Sequence, residues 1–320
     1  MRAAVRWMER HQVALYLLAL LVGGLAGALL PGLAAPAGFA VTPVLGLLLY
    51  ATFLGVPFAE IRGAFRDRRF LGAVLLVNFA AAPLVVWPLS RIVAHEQALL
   101  VGVLFVLLTP CVDYVIVFTG LAGGASALLL AAAPLLMLAQ MLLLPVYLWL
   151  FLGPGFVAAV DLAPFAEAFA ALILLPLLAA WLTQLAARRS RAGRALRSAG
   201  LGAMVPLMML TLAAVVASQI GGVGRQLGSL LLAVPVYLLF AAAMTAIGAG
   251  VARWTRLDAP AARATVFSGV TRNSLVVLPL VLALPSAFDL APLAVVTQTL
   301  VELLIMVLFV RLVPRLIRDR

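Results

Sequence analysis

Apolar residues run along this chain in stretches of about 20, the length an α-helix needs to cross a bilayer. They recur ten times, at roughly 12–30, 40–57, 70–90, 97–121, 125–152, 164–187, 199–219, 227–251, 261–283 and 291–313, which predicts an all-α integral membrane protein. The fourth and ninth runs differ from the rest. Leu107–Phe118 reads LLTPCVDYVIVF and Gly269–Leu280 reads GVTRNSLVVLPL, each with a polar cluster at the centre of a span. Pro110 removes a backbone donor and disfavours helix at Thr109, so a break is expected there. The two clusters lie 162 positions apart (271 minus 109), close to half of the 320 residues. Ten spans with a discontinuous fourth and ninth divide into two five-helix repeats, 1–160 and 161–320, together one transporter domain. An odd number per half inverts the second half, and in such transporters the interrupted helices meet near the bilayer midplane.

Charge fixes the orientation. All 22 basic residues are arginine. They gather at Arg2 to Arg10, Arg62 to Arg69, Arg188 to Arg197, Arg253 to Arg263 and Arg311 to Arg320, alternate ends of the spans, against Arg91 and Arg225 on the other side. Cytoplasmic loops carry the basic excess. Both termini are therefore expected in the cytoplasm, with the chain multi-pass in a cell inner membrane or plasma membrane. The run 12–30 is too long for the apolar core of a signal peptide and reads as an uncleaved first helix.

Composition narrows the function. With 66% hydrophobic and 10% charged residues and a mean hydropathy of +1.22, a soluble fold is excluded. The net charge of +11 is a topology signal and not a nucleic-acid surface. One cysteine allows no intramolecular disulfide, and His11 and His95, both at membrane edges, build no metal site. No cofactor is expected. An intramembrane enzyme would need a catalytic constellation, and the chain has no HExxH, no histidine at membrane depth and no paired intramembrane aspartates. That leaves a carrier or a channel, which saturable, uphill flux under a proton gradient would separate.

The polar residues within spans carry the remaining information. An ionisable side chain at membrane depth costs about 2.5–3.5 kcal/mol even on the lenient insertion scale, so each is a candidate functional group. Asp113 and Arg272 are expected to pair across the two interrupted helices, either to hold the repeats together or so that protonation of Asp113 frees Arg272. Glu302 on span ten is a packing contact or a proton or substrate group. Cys111, at the start of a half-helix, is either a packed small residue or a thiol ligand favoured by the helix terminus. Asn78 and Gln140 read as interhelical hydrogen bonds, and Thr297, Gln298 and Thr299 stay ambiguous.

Three segments carry a resemblance. Thr109-Pro110-Cys111 on span four, Arg272-Asn273-Ser274 on span nine and Leu300-Val301-Glu302-Leu303 on span ten resemble the arsenite-efflux carriers of the bile acid/sodium symporter superfamily. The resemblance implies crossed, discontinuous fourth and ninth helices in a core domain beside a panel domain. It implies substrate contact by Cys111, Thr109, Asn273, Ser274 and Arg272, and proton coupling by Glu302, with export of arsenite or antimonite by proton antiport. In those carriers the ninth span typically reads Asn-Asn-Phe-Glu. Here it reads Asn273-Ser274-Leu275-Val276, and Asp113, where the family has an apolar residue, is expected to supply the missing charge. The sodium-coupled branch fits less well, because its ninth-span ligands would correspond to about Ser268 and Arg272. A guanidinium ~4 Å from a sodium ion repels it by about 4 kcal/mol at an effective dielectric near 20. Protons are the expected coupling ion, and a small organic anion held by Arg272 is the alternative substrate.

Overall fold

Inside a bilayer a chain must satisfy its own main-chain groups, which a helix does within one segment. In the computed structural model, which describes residues 2–55, 67–112, 114–153, 167 and 170–318, every regular element of the described residues is helical. In chain order these are α1 (Arg2–Leu29), α2 (Ala34–Gly55), α3 (Arg68–Leu76), α4 (Ala82–Ser90), α5 (Gln97–Leu107), α6 (Tyr114–Leu121) and α7 (Ser126–Leu152). There follow α8 (Leu175–Arg189), α9 (Arg191–Trp254), α10 (Ala259–Val270), α11 (Ser274–Leu282) and α12 (Leu290–Leu316). Seven stretches among the described residues are long and apolar enough to cross a membrane. The expected spans four and nine are instead pairs of short helices, α5 with α6 and α10 with α11. Part of the sixth lies outside the described residues.

One boundary departs from expectation. The loop read between spans seven and eight is replaced by a kink, so that two helices join directly in α9, 64 residues in all. Only Gln226, with φ −121° and ψ 16°, leaves the helical region, and this kink does the work assigned to a loop.

The contacts divide the chain into two units, each drawing helices from both ends of the sequence. One comprises Met1–Val56 and Ala163–Leu227, the other Pro57–Leu162 and Gly228–Arg320. In the first unit α1 lies at backbone distance against the part of α9 that precedes its kink. A Cβ on Gly23 would fall 2.5 Å from the Ala213 carbonyl oxygen, and one on Gly27 would fall 2.6 Å from that of Ala217. Two small residues four apart on each helix are what lets membrane helices approach so closely. Tyr50 Oη and Thr183 Oγ1, 2.9 Å apart, join α2 to α8, and Gln184 Nε2 donates to the carbonyls of Phe53 and Leu54 at the end of α2.

In the second unit α3 and α4 are joined by a π turn, Val77–Ala81. Pro83 has no N–H for the carbonyl of Phe79, one turn earlier. Tyr147 Oη of α7 donates to that carbonyl instead, at 2.6 Å. The turn carries Asn78, fully buried. Gly102 brings α5 against α12, since a Cβ there would fall 2.5 Å from the Ala291 carbonyl oxygen.

Candidate functional site

The two interruptions meet. α5 ends at Leu107 and α10 at Val270, and in both the threonine after the break bends its hydroxyl back to the carbonyl one turn earlier. Thr109 Oγ1 donates to Phe105 O at 2.8 Å, and Thr271 Oγ1 to Phe267 O at 2.7 Å. Cys111 N donates to Thr271 O at 3.2 Å and Asn273 N to Thr109 O at 2.8 Å, an antiparallel bridge centred on Pro110 and Arg272. Main-chain groups freed by unwinding at membrane depth cannot be left bare. Here each segment satisfies the other.

Two buried charged residues, Arg272 and Glu302, sit on this crossing. The Arg272 side chain, fully buried, donates from Nη1 to Leu107 O at 3.3 Å and from Nη2 to Asn78 Oδ1 at 2.9 Å, to Ser268 O at 3.3 Å and to Gly269 O. Its guanidinium carbon lies 5.0 Å from the Phe240 ring centroid. Asn78 is fixed in turn by donating to Ser268 Oγ at 2.8 Å, the interhelical bond expected of it. Glu302 on α12 is also buried. It accepts the Arg272 main-chain N–H at 2.8 Å on Oε2, the Gln298 amide on the same oxygen, and the Tyr114 hydroxyl on Oε1.

Helix dipoles explain why this arrangement is tolerated. The guanidinium bonds the last carbonyls of α5 and α10, the partly negative ends of both first half-helices. The carboxylate bonds Tyr114, the first residue of α6, and the N–H two residues before α11, at the partly positive ends of both second halves. Each charge therefore lies where the aligned peptide dipoles favour it. Every acceptor of the guanidinium among the described residues is a carbonyl or amide oxygen.

The other expected site residues fall as follows. Cys111 is fully buried within the unwound segment and forms no disulfide. Asp113 lies outside the described residues. Thr109 spends its hydroxyl and its carbonyl on the crossing itself. Asn273 caps α11, its Oδ1 accepting Val276 N at 3.3 Å, which leaves Nδ2 with no bond. Ser274 Oγ, Gln298 Oε1 and Arg272 Nε are likewise buried without a hydrogen-bond partner. Such orphaned polar atoms in a buried site mark places where a ligand or water can bond.

Gln140 corrects an expectation: it is buried, and neither its amide nitrogen nor its oxygen makes a hydrogen bond among the described residues. Thr297 and Thr299 bond carbonyls of their own helix. Tyr114 and Gln298 were the partners that sequence reasoning did not assign to Glu302. The signals were available, since Tyr114 belongs to the polar cluster of span four and Gln298 precedes Glu302 by one helical turn.

A comparison with curated proteins finds no match. Residues 42–226, more than half of the chain, match the Sodium Bile acid symporter family, a stretch that includes the first crossing segment with Cys111 and stops before the second. Several long apolar helices and this match together make the chain a multi-pass membrane protein that belongs to the Sodium Bile acid symporter family, whose members are transporters and not enzymes.

Proposed function

We propose that the chain is a secondary active transporter of ten transmembrane helices in two inverted five-helix repeats, 1–160 and 161–320. It exports arsenite or antimonite in exchange for protons, from a cell inner membrane or plasma membrane with both termini cytoplasmic. The observation that carries this reading is the place of Cys111, buried in the unwound segment of span four with its N–H on the Thr271 carbonyl. Trivalent arsenic and antimony are soft centres that favour a sulfur ligand, as soft metals do. The orphaned atoms suit the rest of an oxyacid. Asn273 Nδ2 donates, Gln298 Oε1 accepts and Ser274 Oγ does both, matching hydroxyl groups that also do both. The paired geometry of Phe105 with Thr109 and Phe267 with Thr271, at the same 162-residue offset (267 minus 105), supports the repeat.

Proton coupling falls to Glu302 and Asp113. As a carboxylate Glu302 accepts three donors, of which Tyr114 and Arg272 tie α12 to the two crossing segments and Gln298 braces it from its own helix. Protonation removes acceptor capacity from one oxygen and so loosens this tie. The guanidinium of Arg272 already occupies the carbonyls at the ends of α5 and α10, oxygen ligands of the kind a sodium ion needs. A second reading, a small organic anion as substrate, is favoured by the family match and by the orphaned Asn273 donor at the positive end of α11.

Everted vesicles carrying the protein decide between them. Saturable arsenite accumulation under an imposed proton gradient, indifferent to a sodium gradient, is the expected result. Gradient-driven uptake of a small carboxylate with no arsenite uptake would replace the first reading with the second. Cysteine-accessibility labelling on a Cys111→Ser background tests orientation, with outside labelling expected at Glu96 and inside labelling at Arg191.

A further inference from the structure

Away from the crossing, the second unit contains a hollow of about 870 Å³ lined by Arg253, Arg256 and Asp258 from the α9–α10 turn and by Arg315, Leu316 and Arg318 at the end of α12. Membrane topology accounts for basic residues near these helix ends, but any scatter of arginines would satisfy it. It does not account for four guanidinium groups, from two segments about 60 residues apart in sequence, converging on one hollow. None of the four guanidinium groups makes a hydrogen bond or ion pair among the described residues, and Asp258, the one acid of the lining among them, has Oδ1 engaged by Ala261 N at 3.0 Å.

Two further features show that the hollow is built. α9 ends in a paired turn, with Arg256 N bonded to Arg253 O and Leu257 N to Ala252 O, which places Arg256 at φ 54°. Glycine normally fills that left-handed position, because a Cβ is strained there. An arginine kept at this site lines the hollow at a cost in local stability. The opposite wall is clamped by Arg263, buried, whose Nε donates to Ile317 O at 3.0 Å and whose Nη1 donates to Gly123 O at 3.1 Å.

We propose that this hollow binds the phosphate of an anionic phospholipid headgroup. Planar guanidinium forks are the preferred partners of phosphate oxygens, and α10 begins at the hollow, adding the positive end of its dipole. Depth selects the lipid over a soluble phosphate. The hollow sits where two apolar spans end, Gln226–Trp254 and Ser286–Leu316, which is headgroup level. Trp254, 76% exposed, and Leu316, 53% exposed, stand beside it as apolar surface for acyl chains.

The full chain in neutral detergent is titrated with phosphatidylglycerol, phosphatidylcholine, inorganic phosphate or glycerol phosphate, and read by thermal unfolding and by native mass spectrometry. Phosphatidylglycerol alone is expected to raise the melting temperature and to stay bound. Arg253→Ala and Arg315→Ala should each weaken it about fivefold, the ratio equivalent to ~1 kcal/mol per arginine near an anionic surface. Arg188→Ala, an exposed arginine of the other unit, should leave it unchanged. Arg256→Gly relieves the strained position, so it should keep or raise stability without lipid while weakening the lipid by the same factor. Equal weakening by Arg188→Ala, or equal binding of phosphatidylcholine, would overturn the site, and equal protection by inorganic phosphate would overturn the lipid.

Discussion

Glu302 meets Arg272 through the main chain. Its Oε2 accepts the Arg272 N–H at 2.8 Å, while the guanidinium of the same residue reaches Asn78 and the carbonyls of Leu107, Ser268 and Gly269. The acid thus holds the fold of the ninth-span crossing without being consumed as the arginine's counterion. A carboxylate so placed can take up and release a proton while the cation stays satisfied.

Glu302→Gln tests that separation. The amide offers one acceptor where the carboxylate offered two oxygens, and its NH2 faces donors. A cost of about 1–3 kcal/mol is expected for the unsatisfied group. Thermal unfolding in detergent should show a folded, modestly weakened protein. In vesicles the variant should exchange substrate at equal concentrations yet fail to accumulate it when a pH gradient is imposed. Undiminished accumulation would move coupling from Glu302 to Asp113.

Arg272→Gln should be far more damaging. Removing the guanidinium strips donors from three buried carbonyls and from Asn78, a loss on the order of 3–5 kcal/mol by analogy with broken buried charge networks. Because those partners are dipolar and not acidic, adding Asp113→Asn is expected not to restore stability. A double mutant that unfolds at the parent temperature would instead make Asp113 the counterion of Arg272.

The breaks were legible because proline and polar residues have no ordinary use at the centre of a long apolar run. Thr109-Pro110-Cys111 and Thr271-Arg272-Asn273 therefore announced the two breaks. What the guanidinium binds was not legible. Main-chain carbonyls carry no sequence signature, and among the described residues the guanidinium bonds helix-end carbonyls, while Asp113, its expected acidic partner, lies outside the described residues. The π turn that delivers Asn78 was hidden for a similar reason: its cause, Pro83 with the Phe79 carbonyl turned to Tyr147, joins residues distant in sequence. The kink at Gln226 lay under residues that read equally well as a polar loop.

Helix contact at Gly102 supports the position of Glu302, since both lie on the α5–α12 interface or its continuation. A Cβ at Gly102 would lie 2.5 Å from Ala291 O and 2.8 Å from the Ala294 Cβ, atoms that cannot yield without moving a helix. Gly102→Ala should therefore cost about 1–3 kcal/mol, the usual range for overpacking, and reduce transport with it. Gly72, exposed in α3 with nothing within 4 Å of a Cβ, provides the control. Gly72→Ala should be neutral or stabilising by up to ~1 kcal/mol, as thermal unfolding of the two variants would show.

Under the proposed metalloid export, Cys111 is the residue on which the substrate turns. Its burial would suit simple packing, and packing and ligation make different demands on its replacements. If the side chain only fills space, Cys111→Ala leaves a small cavity and Cys111→Ser a near-isosteric group, so both should retain transport in proportion to the protein that folds. If the sulfur holds a trivalent metalloid, neither oxygen nor a methyl group replaces it. Both variants are then expected to reach the membrane at parental levels, to unfold within a few degrees of the parent, and to lose arsenite and antimonite resistance in a sensitive host. The main-chain bond from residue 111 to Thr271 O survives either substitution, so the crossing itself is not at stake. Full resistance in Cys111→Ala at equal expression would reduce the thiol to packing and leave the small organic anion as the substrate.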